Sequence, residues 1–104
     1  MNNVTARQLE AIIAVADLGS FTEAAEKLHL SQPSLSQLVR QLEETLGVRL
    51  FERTTRRVSL SAAGQAFLPV AERVLLRLER GMQNMRAFAK GQQGQISFAA
   101  LLTV

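Results

Sequence analysis

Ser31-Gln32-Pro33-Ser34-Leu35-Ser36-Gln37-Leu38-Val39-Arg40-Gln41-Leu42-Glu43-Glu44-Thr45-Leu46-Gly47 is the stretch around which the rest of the chain can be ordered. The Ser31 hydroxyl can accept from an amide in the first turn of a helix. Pro33 is tolerated there because first-turn amides have no intrahelical acceptor, and Gly47 can take the left-handed conformation that ends a helix. A helix is therefore expected from Ser31 to about Leu46. At about 100° per residue, Leu35, Val39, Leu42 and Leu46 fall within roughly 60° of one another, and Pro33, Ser36, Gln37 and Arg40 centre on the opposite side. One face packs and the other is free. The free face holds small or hydrogen-bonding side chains and no acid before Glu43, which suits a negatively charged groove lined with base-edge donors and acceptors. An ordinary solvated face has the same composition, so its neighbours decide the matter.

Upstream, Thr5 followed by Gln8 is a capping-box pattern, and Leu9, Ile12, Ile13 and Ala16 recur at helical spacing up to Gly19. A first helix over about 6–18 follows. Ser20 with Glu23 opens a second, short helix over about 21–28, with Phe21, Ala24, Ala25 and Leu28 on its apolar face. His29 and Leu30 leave only a tight connection before Ser31. Downstream of Gly47 the period changes: Val48, Leu50 and Glu52 alternate with Arg49, Phe51 and Arg53, and Val58 and Leu60 alternate with Ser59. That is a two-stranded hairpin with Thr54-Thr55-Arg56-Arg57 at its tip. Its Arg49, Arg53, Arg56 and Arg57 face a single acid, Glu52, making it the densest cationic spot in the chain. Arginines also guard sheet edges, but this hairpin directly follows a helix whose free face suits a groove.

Ser61 caps a fourth helix expected to reach about Lys90, roughly 43 Å at about 1.5 Å per residue. A domain of this size cannot cover so long a helix, so it needs a partner. Leu68, Ala71, Leu75, Leu78, Met82, Met85 and Ala89 alternate in steps of three and four, a heptad seam that predicts pairing with a second copy. Phe67, Val70, Val74 and Phe88 widen the stripe, while Pro69 and Gly81 predict a bend. Gly91-Gln92-Gln93-Gly94 reads as a polar hinge, and the nearly all-apolar residues 96–104 read as a buried strand whose sheet is absent, so the chain looks truncated.

Composition narrows the function. The 104 residues allow one small domain plus one extended element. Basic residues face acidic ones two against four in residues 1–30, five against three in 31–60 and five against two in 61–104, so positive charge lies beyond the first helix pair. With no cysteine and His29 as the single histidine, neither a zinc-thiolate site nor a nucleophile-base-orienter set can be assembled. No metal, no cofactor and no enzymatic activity are expected. No window approaches the roughly 20 apolar residues of a membrane span, which points to a soluble cytoplasmic protein with no membrane partner.

Gly19-Ser20-Phe21, Ala24-Ala25, Ser31 to Ser36, Leu42-Glu43, Leu46-Gly47, Leu50 to Arg53 and Ser61 to Gly64 together resemble the N-terminal region of bacterial LysR-type transcriptional regulators, over about residues 5–90. The resemblance implies a mainly α fold: a winged helix-turn-helix of three helices and a two-stranded wing, then a long dimerisation linker helix. It implies a DNA-binding domain over 1–60, a linker helix over 61–90, and over 91–104 a hinge and the first strand of a truncated effector-binding domain. Gln32, Pro33, Ser34, Ser36 and Gln37 would line the groove-reading face, and Arg53 would reach from the wing. The helical wheel adds Arg40 and the charge count adds Arg56. Many members of that family carry arginine where Gln37 stands; glutamine pairs most naturally with adenine and arginine with guanine.

On this reading the partner is double-stranded DNA. The third helix enters a major groove N-terminal end first, with its amides and the Ser31 hydroxyl near phosphate, and the wing holds flanking backbone or minor groove. A homodimer through Leu68, Ala71, Leu75, Leu78, Met82 and Met85 would present two such heads to an imperfect palindrome, with higher oligomers open to the full-length protein. A small-molecule effector would act only through the missing C-terminal domain. The alternative is a protein-binding or oligomerisation module built on the same helices, whose sign would be indifference to salt.

Overall fold

The computed structural model describes residues 3–54 and 57–91, with the backbone alone at Arg53. Arg56 and residues 92–104, which hold the expected strand and most of the expected hinge, lie outside the described residues. The chain divides into two units, Met1–Arg73 and Val74–Val104.

In the first unit, α1 (Ala6–Leu18) opens with the capping box read from sequence. The Gln8 amide donates to Thr5 Oγ1 at 3.2 Å, and the Thr5 amide donates to Gln8 Oε1 at 3.1 Å. Two first-turn amides that would otherwise lack a partner are thereby satisfied. Ser20 caps α2 (Phe21–Lys27) by accepting from the Glu23 amide at 3.1 Å. α2 then closes through two crossed bonds, Leu30 amide to Ala25 carbonyl at 2.9 Å and His29 amide to Glu26 carbonyl at 3.2 Å. This is the Schellman arrangement, and it puts the residue between into the left-handed region. Here that residue is His29, at φ 59°.

α3 (Gln32–Leu46) runs from a Ser31 cap to Gly47 at φ 75°, where the Gly47 amide returns to the Glu43 carbonyl at 2.8 Å. Leu35, Val39 and Leu42 are 0% exposed, the face picked out by the wheel. They pack with Leu9, Ile12 and Val15 of α1 and with Phe21, Ala24 and Ala25 of α2. Burial of each large side chain is worth about 1.5–3 kcal/mol, so this face anchors α3 and leaves the opposite one free.

β1 (Phe51–Arg53) and β2 (Val58–Leu60) form an antiparallel hairpin, pairing Phe51 with Leu60, Glu52 with Ser59 and Arg53 with Val58. The first strand is shorter than the alternation predicts. Leu50 and Phe51, expected on opposite faces, are both buried, at 1% and 2% exposure. Leu50 precedes the ladder, and its polar atoms bond elsewhere: its amide to Glu43 Oε2 at 2.8 Å, its carbonyl to the Ser61 amide at 2.9 Å. Freed from the pleat, it packs into the core beside Phe51, whose ring meets Phe21 edge-on at 5.9 Å between centroids and 71°.

α4 (Ala62–Ala89) continues through Pro69 and Gly81. Its start explains Ser61-Ala62-Ala63-Gly64. Ser61 Oγ accepts from the Gly64 amide at 3.0 Å and donates to the Arg49 carbonyl at 2.6 Å. A Cβ at Gly64 would collide with the Leu50 carbonyl oxygen and lie 2.8 Å from Leu60 Cδ2, so only glycine allows this close approach. Ala71, expected on the heptad seam, is 0% exposed within the core that Phe67 also packs against, and Leu68 is half-buried. In the second unit the helix carries Val74, Leu78, Met82, Met85 and Phe88, exposed at 46–63%, with Leu75 half-buried.

Candidate nucleic-acid interface

The free face of α3 matches its sequence reading at most positions. Gln32, Pro33, Ser34, Gln37 and Arg40 are exposed, while Ser36 is half-buried. On the wheel Ser36 lies about 60° from Pro33, toward the flank that Glu43 occupies. Ser36 therefore stands at the edge of the readable surface, and Pro33, Gln37 and Arg40 form its ridge.

Ser31 and Ser34 divide two tasks that the sequence did not separate. Ser31 Oγ accepts from the Ser34 amide at 3.2 Å and donates its proton to Ser34 Oγ at 2.9 Å. The Ser31 hydroxyl is thereby spent inside the turn. Ser34 Oγ, accepting from Ser31, keeps its own proton for an acceptor outside the protein. A hydroxyl donor polarised by a second hydroxyl, at the positive end of a 15-residue helix, suits a phosphate or base-edge acceptor. Of the two hydroxyls, that of Ser34 is the one left with a proton to offer outside the turn.

Two further contacts join α1 to the segment before the turn and to α3 itself. Arg7 donates to the Leu28 carbonyl at 3.0 Å and to Glu10 Oε1 at 3.0 Å, tying α1 to the last residue before the turn. The pair is surface-exposed, and such pairs are worth little in stability; its geometric effect is to clamp the carbonyl that leads into His29. Gln8, nearly buried at 5% exposure, reaches from α1 to Gln41 Oε1 at 3.5 Å. Neither contact is local in sequence, which is why sequence periodicity did not reveal them.

The wing supplies the cations. Thr54 and Arg57 close its tip, the Thr54 amide donating to the Arg57 carbonyl at 3.0 Å and the Arg57 amide to Thr54 Oγ1 at 3.1 Å. Arg49 and Arg57 are exposed; the sequence reading counted them in the charge cluster but gave roles only to Arg53 and Arg56. Arg53 lies in β1, and Arg56 lies outside the described residues. An open hollow of about 440 Å³ at the other end of α3 has Glu43 and Glu44 in its wall beside Arg40 and Arg49. Those acids make it a poor seat for a polyanion, and the N-terminal half of α3 with the wing is the better one. Among the described residues no group of three or more His, Cys, Asp or Glu could hold a metal, and no helix is long and apolar enough to cross a membrane.

Three helices around one core, the third capped and free on its outer face, followed by an arginine-bearing hairpin, define a winged helix-turn-helix. Residues 6–65 match the family model for the bacterial regulatory helix-turn-helix protein, lysR family, and the chain belongs to that family. It is 42% identical over 90 residues to the HTH-type transcriptional regulator TfdT of Cupriavidus pinatubonensis, covering 86% of this chain and 40% of that protein. It is 45% identical over 93 residues to the HTH-type transcriptional regulator TcbR of a Pseudomonas species, covering 89% of this chain and 32% of TcbR. The chain thus spans less than half the length of these two relatives. Among solved structures, the CbnR DBD in complex with DNA superposes with a TM-score of 0.76 at 45% identity, covering 82% of this chain and 98% of that one. The BenM DBD with catB site 1 DNA gives 0.77 at 35% identity, covering 82% and 94%.

Proposed function

We propose that the chain is the DNA-reading part of a bacterial transcriptional regulator that binds an imperfect palindrome as a homodimer. The observation that carries the reading is the free face of α3, where the Ser34 hydroxyl, Pro33, Gln37 and Arg40 stand exposed from the first turn to the middle of a helix packed from behind. A helix of this kind fits the major groove, where side-chain donors and acceptors read base edges. Gln32 and Ser36 border that surface, Ser31 shapes it, and Arg53, Arg56 and Arg57 neutralise flanking phosphates from the wing. The relatives that share this domain are named as transcriptional regulators, and CbnR and BenM DBDs have been solved on DNA.

The reading divides the chain into a DNA-binding domain over 1–60, a linker helix over 61–90 and the entry to an effector-binding domain over 91–104, through which a small molecule would act. It places the protein in the cytoplasm, where the chromosome lies. Pairing of two chains is supported by Leu78, Met82 and Met85, which stand 46%, 46% and 63% exposed along one line of α4; Leu75 continues that line. Apolar side chains repeating at this spacing are stable in water when a second helix covers them.

The test is the salt dependence of duplex binding. Arg53→Ala should weaken binding to all duplexes alike and lower the slope of log affinity against log salt by about one unit, as loss of one phosphate contact requires. An unchanged slope removes Arg53 from the interface, and a wild-type chain indifferent to salt favours the protein-binding module.

A further inference from the structure

Glu43 sits on α3 away from its exposed ridge, about 80° from Pro33 on the helical wheel, and nothing in the groove-reading account uses it. Its backbone and side chain nevertheless serve two elements at once. The Glu43 carbonyl accepts from the Gly47 amide at 2.8 Å, closing α3, while Oε2 accepts from the Leu50 amide at 2.8 Å, just before β1. From the other side Ser61 holds Leu50 and its neighbour Arg49, its amide donating to the Leu50 carbonyl at 2.9 Å and its hydroxyl to the Arg49 carbonyl at 2.6 Å. Leu50 is 1% exposed, so neither of its polar atoms can turn to water, and a charged acceptor makes the stronger bond to such an amide. Arg49 precedes this pinned point, and the strand leading to the wing tip follows it.

The geometry points to Glu43 as a positioning residue that sets the register of the cationic wing against the reading helix, so that both engage one duplex together. The inference rests on the DNA-binding reading above. Without the carboxylate, the connection at 47–49 carries no side-chain bond from α3 to the wing among the described residues, and the Arg49 and Arg57 guanidinium groups lose their fixed height over the phosphates.

The test uses the chain and a duplex selected from a random pool, titrated by fluorescence anisotropy at about 50 and about 200 mM salt. Two phosphate contacts contribute a slope of about 1.8 per half-site, so the double variant Arg49→Ala/Arg57→Ala should lose roughly tenfold less affinity per half-site between those concentrations than the wild type does. Glu43→Ala should show much of that reduction although it removes no cation. Glu43→Gln, which retains an amide oxygen for the Leu50 N–H, should keep the wild-type salt response. Added to the double variant, Glu43→Ala should change affinity by less than about twofold, the signature of residues acting through one another. A residue that merely stabilises the fold would lower the melting temperature and leave the salt slope alone. A wild-type slope in Glu43→Ala, the same defect in Glu43→Gln, or a full additive loss in the triple variant overturns the inference. A wild-type slope in Arg49→Ala/Arg57→Ala instead removes those two arginines from the phosphates, and the Glu43 inference with them.

Discussion

Replacing Ser31 and Ser34 one at a time by alanine should separate folding from recognition. Ser31→Ala removes the acceptor of the Ser34 amide, a bond of 3.2 Å at the first turn of α3. Loss of such a cap costs about 1 kcal/mol, within a range of about 0.5–2, which for a domain of this size lowers the melting temperature by roughly 4–8 °C. The Ser34 hydroxyl remains, so affinity for a selected duplex, measured at a temperature where the variant is fully folded, should stay within about threefold of wild type. Ser34→Ala does the reverse. Its amide still donates to Ser31, and the side chain is exposed, so stability should move by no more than about 0.5 kcal/mol. The lost hydroxyl proton removes one hydrogen bond to a charged or base-edge acceptor, about 1.5 kcal/mol or roughly tenfold per half-site. Thermal unfolding by circular dichroism and anisotropy titration at fixed salt read the two effects independently. Wild-type affinity in Ser34→Ala, together with a tenfold loss in fully folded Ser31→Ala, would show that Ser31 is the contact and would refute the division of tasks.

Gln37→Ala should relax preference at one or two base pairs at a cost of about 1–3 kcal/mol, seen as a flattened profile when variant and wild type are selected against the same random pool. Leu75→Glu combined with Leu78→Glu places charge on the apolar line of α4 and should give monomers in sedimentation velocity; persistent dimers would put the pairing surface elsewhere. Gly64→Ala drives a methyl group into the Leu50 carbonyl and should cost about 1–3 kcal/mol or more, lowering the urea midpoint, whereas an unchanged midpoint would contradict the close approach.

The parts of this molecule legible in the sequence are those decided by local chemistry. Thr5 with Gln8, Ser20, Ser31 and Ser61 each satisfy amides within three residues, and Gly19 and Gly47 take the left-handed conformation beside the helix they end. Helix boundaries could therefore be placed nearly to the residue, and the wheel sorted the buried leucines of α3 from its free ridge. What escaped depends on partners distant in the chain. Leu50 leaves the strand alternation because Glu43 and Ser61 hold its polar atoms. Ala71 joins the core instead of standing free on the heptad line, since periodicity ranks apolar positions without saying what covers them. His29 occupies a position where glycine would be expected, with no local sign of it. The contact between the Ser31 and Ser34 hydroxyls lay within a legible motif, but only the folded turn brings the two side chains together.

The central claim, that two copies of α3 read paired half-sites while the wings hold phosphate, is tested most directly by selecting bound duplexes from a random pool at two salt concentrations. The account predicts enrichment of an imperfect palindrome with half-sites an integral number of helical turns apart, and affinity that falls steeply with salt. A pool that enriches no sequence, or binding that ignores salt, would contradict it.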